Sequence, residues 1–140
     1  MLNTTVLWMG IGDYMETKLR YELTQNITAL ANSIYPTNAP EGVLKPYLVY
    51  VRISTKKIKT FDGYENKEAI SYMFSIMATK YSDMVSLRKQ VETLLMGLPK
   101  TSIGINNDTY IEDLDINNID EQYEHELMVN RGIIDFTIYY

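Results

Sequence analysis

Two alternating runs on either side of an Asp-Gly turn constrain this chain's architecture more than any other feature. After Pro46, Tyr47, Val49, Val51 and Ile53 alternate with Leu48, Tyr50, Arg52 and Ser54, and Lys56-Lys57-Ile58-Lys59 continues the run as an exposed basic edge. A period of two in β-branched and aromatic residues is the pattern of a strand. Further on, Ile70, Tyr72, Phe74, Ile76 and Ala78 take one parity, and Ala69, Ser71, Met73, Ser75 and Met77 take the other. Between them stands Phe61-Asp62-Gly63-Tyr64, whose Asp-Gly pair tolerates the backbone of a tight turn. The spacing predicts an antiparallel hairpin and therefore a sheet that needs cover.

Two helical patterns supply that cover. Met15, Leu19, Leu23, Ile27, Leu30 and Ile34 recur at steps of three and four, which predicts a helix over residues 13–34. Asp13 with Glu16 fits a variant capping box, and Pro36 ends the pattern ahead of an ordered loop. Met84, Leu87, Val91, Leu94, Leu95 and Leu98 predict a second helix over residues 82–96, with Ser82 as N-cap and Gly97 and Pro99 closing it. After a short Ile103/Ile105 stretch and an irregular acidic segment comes a last strand. There Met128, Ile134, Phe136, Ile138 and Tyr140 share one parity, and Leu127, Val129, Ile133 and Tyr139 the other.

The predicted order is α-β-β-α-(β)-β: an α+β fold with two amphipathic helices packed on one face of a mostly antiparallel β-sheet. A chain of 140 residues holds one such domain, assigned to residues 13–140, preceded by an extension or arm over residues 1–12. Leu48, Tyr50, Met73, Met77, Ile133 and Tyr139 fall on parities that the helices are not expected to cover. That apolar, tyrosine-bearing second face predicts self-association.

Composition narrows the chemistry. Zero cysteines exclude a disulfide framework, thiolate zinc sites and cysteine nucleophiles, and a single histidine argues against a poly-histidine metal site. A net charge of −5 offers no general attraction to nucleic acid or anionic membrane. The apolar run from Val6 to Ile11 is interrupted by Gly10 and stopped by Asp13, too short for a signal peptide or membrane span. His125 between two glutamates reads as a surface residue, and Gly10-x-Gly12 lacks the third glycine of a dinucleotide fingerprint. The expectation is a non-enzymatic, soluble domain with no cofactor.

Charge is distributed unevenly. Arg52, Lys56, Lys57 and Lys59 stand in a stretch without acids, whereas Asp108, Glu112, Asp113, Asp115, Asp120, Glu121, Glu124 and Glu126 fill one without Lys or Arg. Three readings stand side by side: a solvated acidic loop, a basic and an acidic edge meeting head to tail between subunits, or acids lining a passage from which polyanions are repelled. Asp113, Asp115, Asn117 and Glu124 also fall at positions 1, 3, 5 and 12 of a calcium-loop spacing. Asn118 replaces its glycine, Asp120 stands where a hydrophobe belongs, and Asx-rich turn chemistry explains the same residues.

A further set of residues carries a resemblance. After the opening amphipathic pattern come Ile34-Tyr35-Pro36, Ala39-Pro40, Pro46-Tyr47-Leu48-Val49-Tyr50, Thr60-Phe61-Asp62-Gly63 and Ser71-Tyr72-Met73-Phe74-Ser75-Ile76. A helix then begins near Tyr81, and the chain closes on Ile134-Asp135-Phe136-Thr137-Ile138-Tyr139-Tyr140. In order, spacing and length, residues 15–140 resemble the tail-completion, or tail-terminator, proteins of long-tailed bacteriophages. The resemblance implies an α+β domain without catalytic residues, acting as a hexameric ring that caps the tail tube and joins it to the head connector. It implies a place in the virion at the head–tail junction, manufacture in the host bacterial cytoplasm, and DNA passing through the ring without specific binding.

On that reading the contact regions are the loop 35–45, the hairpin 55–65 and the acidic segment. Interface candidates are Tyr35, Arg52, Lys56, Lys57, Lys59, Asp62 and Tyr64; lumen or subunit-contact candidates are Asp113, Asp115, Asp120, Glu121 and Glu124. Residues 1–12 extend beyond the family's usual start, and the acidic stretch 106–126 is longer than the family's. Rival classes are a head-side neck or head-closure protein, a calcium-binding interaction module, and a small enzyme built around His125.

Overall fold

The computed structural model of this chain describes residues 15–140. Helix α1 spans Met15–Asn26, and a 3-10 turn follows at Thr28–Leu30. Then come β1 (Ile34–Pro36), β2 (Tyr47–Thr60), β3 (Gly63–Ala78) and helix α2 (Tyr81–Met96). The remaining strands are β4 (Thr101–Ile103), β5 (Thr109–Ile111), β6 (Asp113–Glu124) and β7 (Val129–Tyr139). The main sheet has the order β1-β2-β3-β7-β6; its pairs are antiparallel except β1, which runs parallel to β2. β4 and β5 form a separate small ribbon. The α+β architecture is the one predicted, with both helices closing a single core over one sheet face.

The β2–β3 hairpin turns where the Asp-Gly pair stands. Gly63 has φ +115, and a Cβ there would meet nothing within 4 Å, so the backbone conformation alone calls for glycine. At the centre of the core Phe136 lies 4.7 Å edge-on from Phe74 and 5.5 Å from Tyr72. Leu19 and Leu23 of α1 and Leu87, Val91 and Leu95 of α2 close the same cluster. Burying a large aromatic of this kind contributes about 2–3 kcal/mol through removal of apolar area from water.

Several expectations are corrected. The six-residue stripe from Met15 to Ile34 is buried throughout, but the helix stops at Asn26. Ile27 turns extended (φ −126, ψ 93), because Asn, β-branched Ile and Thr give the helix little intrinsic support at this point. A 3-10 turn then preserves the step of three. The Asp13 cap lies outside the described residues. In α2, Lys80 occupies the N-cap position and makes no side-chain cap, so Ser82 already lies inside the helix.

Leu48 and Tyr50 change faces. Leu48 pairs with Ile76 and Tyr50 with Phe74, which turns both toward the helices and into the main core. Both parities of this strand are apolar, so alternation alone does not choose between them; the cross-strand register does. The opposite face carries Tyr47, Val49, Met77 and Val129, buried under Tyr35, Ala39 and Val43. One end of the second face is thus roofed by the chain's own loop, contrary to the expectation of a bare surface. Farther along, Val51, Met73 and Tyr139 remain half-exposed.

The irregular acidic segment is also corrected: it is β6, a regular edge strand of 12 residues. Leu114, Ile116 and Ile119 pair with Ile138, Phe136 and Ile134 on the helix side, while a bulge at Asn117 breaks the period of two. Among the described residues no helix is long and apolar enough to cross a membrane.

Candidate assembly surfaces

Three surfaces contain the predicted contact residues: the projecting hairpin, the loop over the second face, and the β6 edge. β1 pairs with only Leu48, Val49 and Tyr50 of β2, so the rest of β2 is paired on one side alone. Beyond the core the hairpin is nearly all exposed, and Phe61 at its tip is fully open to water. The Lys59 ammonium sits 5.2 Å from the Tyr64 ring, a cation–π contact that holds both at the tip. Lys56 and Asp62 are exposed beside them.

Two of the predicted basic contacts are engaged within the chain. Arg52 grips Glu16 of α1 through both carboxylate oxygens, with Nη2–Oε1 at 2.7 Å, and also donates to Thr55 Oγ1 at 3.0 Å. Burial works to raise the Glu16 pKa, but the Arg52 guanidinium outweighs it and holds the carboxyl below its ordinary range. Lys57 is ion-paired with Glu68, which also accepts the Tyr140 hydroxyl proton at 2.8 Å. Lys57 lowers the Glu68 carboxyl, whereas burial and then Glu68 push the Tyr140 phenol up to about 12. Tyr35, expected in a loop, instead lies on β1 opposite Val49, half-buried edge-on against Tyr47 at 6.2 Å.

The β6 acids divide by face. Glu121, on the helix side, accepts from Tyr81 Oη at 2.7 Å and Arg88 Nη2 at 3.0 Å. Glu124 accepts from Arg131 at 3.1 Å, and Arg131 also donates to the buried Ser75 hydroxyl. Asp113, Asp115 and Asp120 pair with Tyr139, Thr137 and Ile133 and stand exposed on the other face. Tyr139 donates to Asp115 at 3.1 Å, which raises the phenol's pKa.

The calcium-loop spacing does not make a loop. Asp113, Asp115, Asn117 and Glu124 are strung along an extended strand, which at about 3.3 Å per residue carries the first and last far apart. Asn117 instead donates to Thr137 at 2.9 Å, and no group of three carboxylates or histidines among the described residues could hold a metal ion. His125 lies edge-on to Tyr123 at 4.9 Å in the turn before β7, directly after Glu124 at the end of β6.

Sequence reasoning missed the polar lattice on the second face. Ser71 and Thr137 share a 2.8 Å hydrogen bond across β3 and β7, and Asn117 joins them from β6. One Asp135 carboxylate oxygen on this face is shut from water without a hydrogen-bond partner. The alternation of Ser71, Ser75, Asp135 and Thr137 with apolar residues signalled a polar face, although the cross-strand partners needed the register.

A chain in a structure titled "Virion of native gene transfer agent (GTA) particle" matches with a TM-score of 0.70 over 89% of this chain and 92% of that one. At 10% identity, that likeness is one of fold. Among curated proteins none matches this chain in sequence. The model of the family described as tail completion protein gp17 matches residues 20–140, spanning α1 from its second turn to the end of β7. The chain therefore belongs to the phage tail completion protein gp17 family and is a structural protein of the phage tail.

Proposed function

We propose that this protein is a tail terminator: it closes into a ring, hexameric by the family resemblance, caps the tail tube and joins it to the head connector. The observation that carries the reading is the family match over residues 20–140. The projecting hairpin supports it, because an exposed aromatic tip on a two-stranded arm suits docking to a neighbour. The mechanism is steric. One ring face continues the tube's end while the other no longer offers the polymerising surface, so further tube subunits cannot add. The extension or arm expected over residues 1–12 lies outside the described residues.

Electron microscopy of particles made without the protein tests the assignment. Abnormally long tails support the terminator role; normal tails beneath leaking heads overturn it in favour of head closure. Of the lumen and subunit-contact roles expected of Asp113, Asp115 and Asp120, the subunit contact is the one proposed, because all three stand exposed on the strand at the open edge of the sheet.

A further inference from the structure

The two long edges of the main sheet are opposite in charge, opposite in direction and comparable in length. On one edge, residues 52–60 of β2 extend past β1 with Lys56 and Lys59 exposed. On the other lies β6 with Asp113, Asp115 and Asp120. Each successive pair from β2 through β3 and β7 to β6 is antiparallel, so β2 and β6 run in opposite directions. A second copy placed beside the first in the same orientation therefore brings its β2 antiparallel to β6 of its neighbour, and the sheet continues across the contact.

We propose that this head-to-tail edge pairing, β6 of one copy against residues 52–60 of the next, is the contact that closes the ring. It rests on the ring reading above and specifies the surface that the ring uses. The charges select it: two β2 edges would oppose lysines, two β6 edges would oppose aspartates, and only the mixed pair is attractive. That choice makes the contact heterologous, the kind that generates rings. Apolar groups follow the same edges, since Ile53 at the β2 bulge and Ile119 and Tyr123 of β6 are exposed in the single chain and become covered. Asp113 and Asp120 each accept the backbone N–H of the following residue, at 2.8 and 2.9 Å, which shields part of the edge until a partner arrives.

Charge exchange tests the pairing in particles, where the protein meets its tube. A phage lacking the gene is complemented with K56E/K59E, with D115K/D120K, and with all four substitutions together. Each subunit offers both edges, so the fourfold variant restores opposite charges at every contact. Each reversed pair is expected to lower the titre by about tenfold or more, and the fourfold variant to recover to within about threefold of wild type. A fourfold variant no better than the worse pair, or wild-type titres from both pairs, overturns the edge pairing. Thermal melts of the purified variants identify any that fails to fold. Such a pair is replaced by K56Q/K59Q or D115N/D120N, and a wild-type titre from both neutral pairs likewise overturns the inference. Failure is distinguishable from failure of the terminator role: long tails without the protein but no charge rescue removes only this contact, whereas normal tails without it remove the role itself.

Discussion

Replacing Gly132 by alanine tests how closely α2 seats on the sheet. Gly132 lies on β7 opposite Ile76 and Glu121, where a Cβ would come 2.7 Å from Met84 Sδ, 3.2 Å from Arg88 Cδ and 3.3 Å from Met84 Cγ. Carbon and sulfur need nearly 4 Å, so something must move by about 1 Å. Met84 is fully buried, and Arg88 is tied to both Glu92 and Glu121, which leaves neither an easy retreat. Overpacking of this kind costs about 1–3 kcal/mol, against about 0.4–1 kcal/mol gained by restricting the unfolded chain. The expected net loss is about 1–2 kcal/mol, or about 3–8 °C in Tm, read by thermal or urea unfolding of the purified protein. Met84→Ala opens space at the same point, so the double variant should lose less than the sum of the singles by about 1 kcal/mol. A G132A protein as stable as wild type, or a strictly additive pair, refutes the close-approach argument.

The Arg52–Glu16 pair predicts a pH dependence of definite sign. Because the folded state holds Glu16 below its ordinary pKa of 4.5, its contribution is present above that value and is lost as pH falls through the lower folded one. With the Arg52 side chain about a third open to water, Glu16→Gln should cost about 1 kcal/mol at neutral pH. The gap to wild type should narrow in acid; a gap independent of pH contradicts the assignment. Phe136→Ala, which empties the aromatic centre, should cost about 3–5 kcal/mol by denaturant unfolding. Phe61→Ala should leave stability within about 0.5 kcal/mol because its ring contacts only water, yet reduce the recovery of complete particles in a complementation assay.

The elements legible in sequence were those whose pattern depends on near neighbours. The hairpin, α2 and the last strand announce themselves by period and punctuation, and the stripe from Met15 to Ile34 names buried residues correctly even where the helix has ended. The facing of Leu48 and Tyr50 was not legible, because both parities of β2 are apolar and only pairing with Ile76 and Phe74 decides. β6 was hidden for a different reason: Asp and Asn are poor strand formers, and the bulge at Asn117 erases alternation in a strand that β7 holds in place. The contact residues divide in the same way. Charge segregation was visible along the chain, but that Arg52 and Lys57 are ion-paired internally while Lys56 and Lys59 remain exposed follows only from the fold.

A reconstruction of the head–tail junction in intact particles, fine enough to trace strands, decides whether copies of this chain form a ring and through which edges. The expected density is a closed ring of this chain at the end of the tube, in which each β6 lies antiparallel to the outer half of the neighbour's β2. Isolated copies at that junction, or a ring whose β6 edges face solvent, would contradict it.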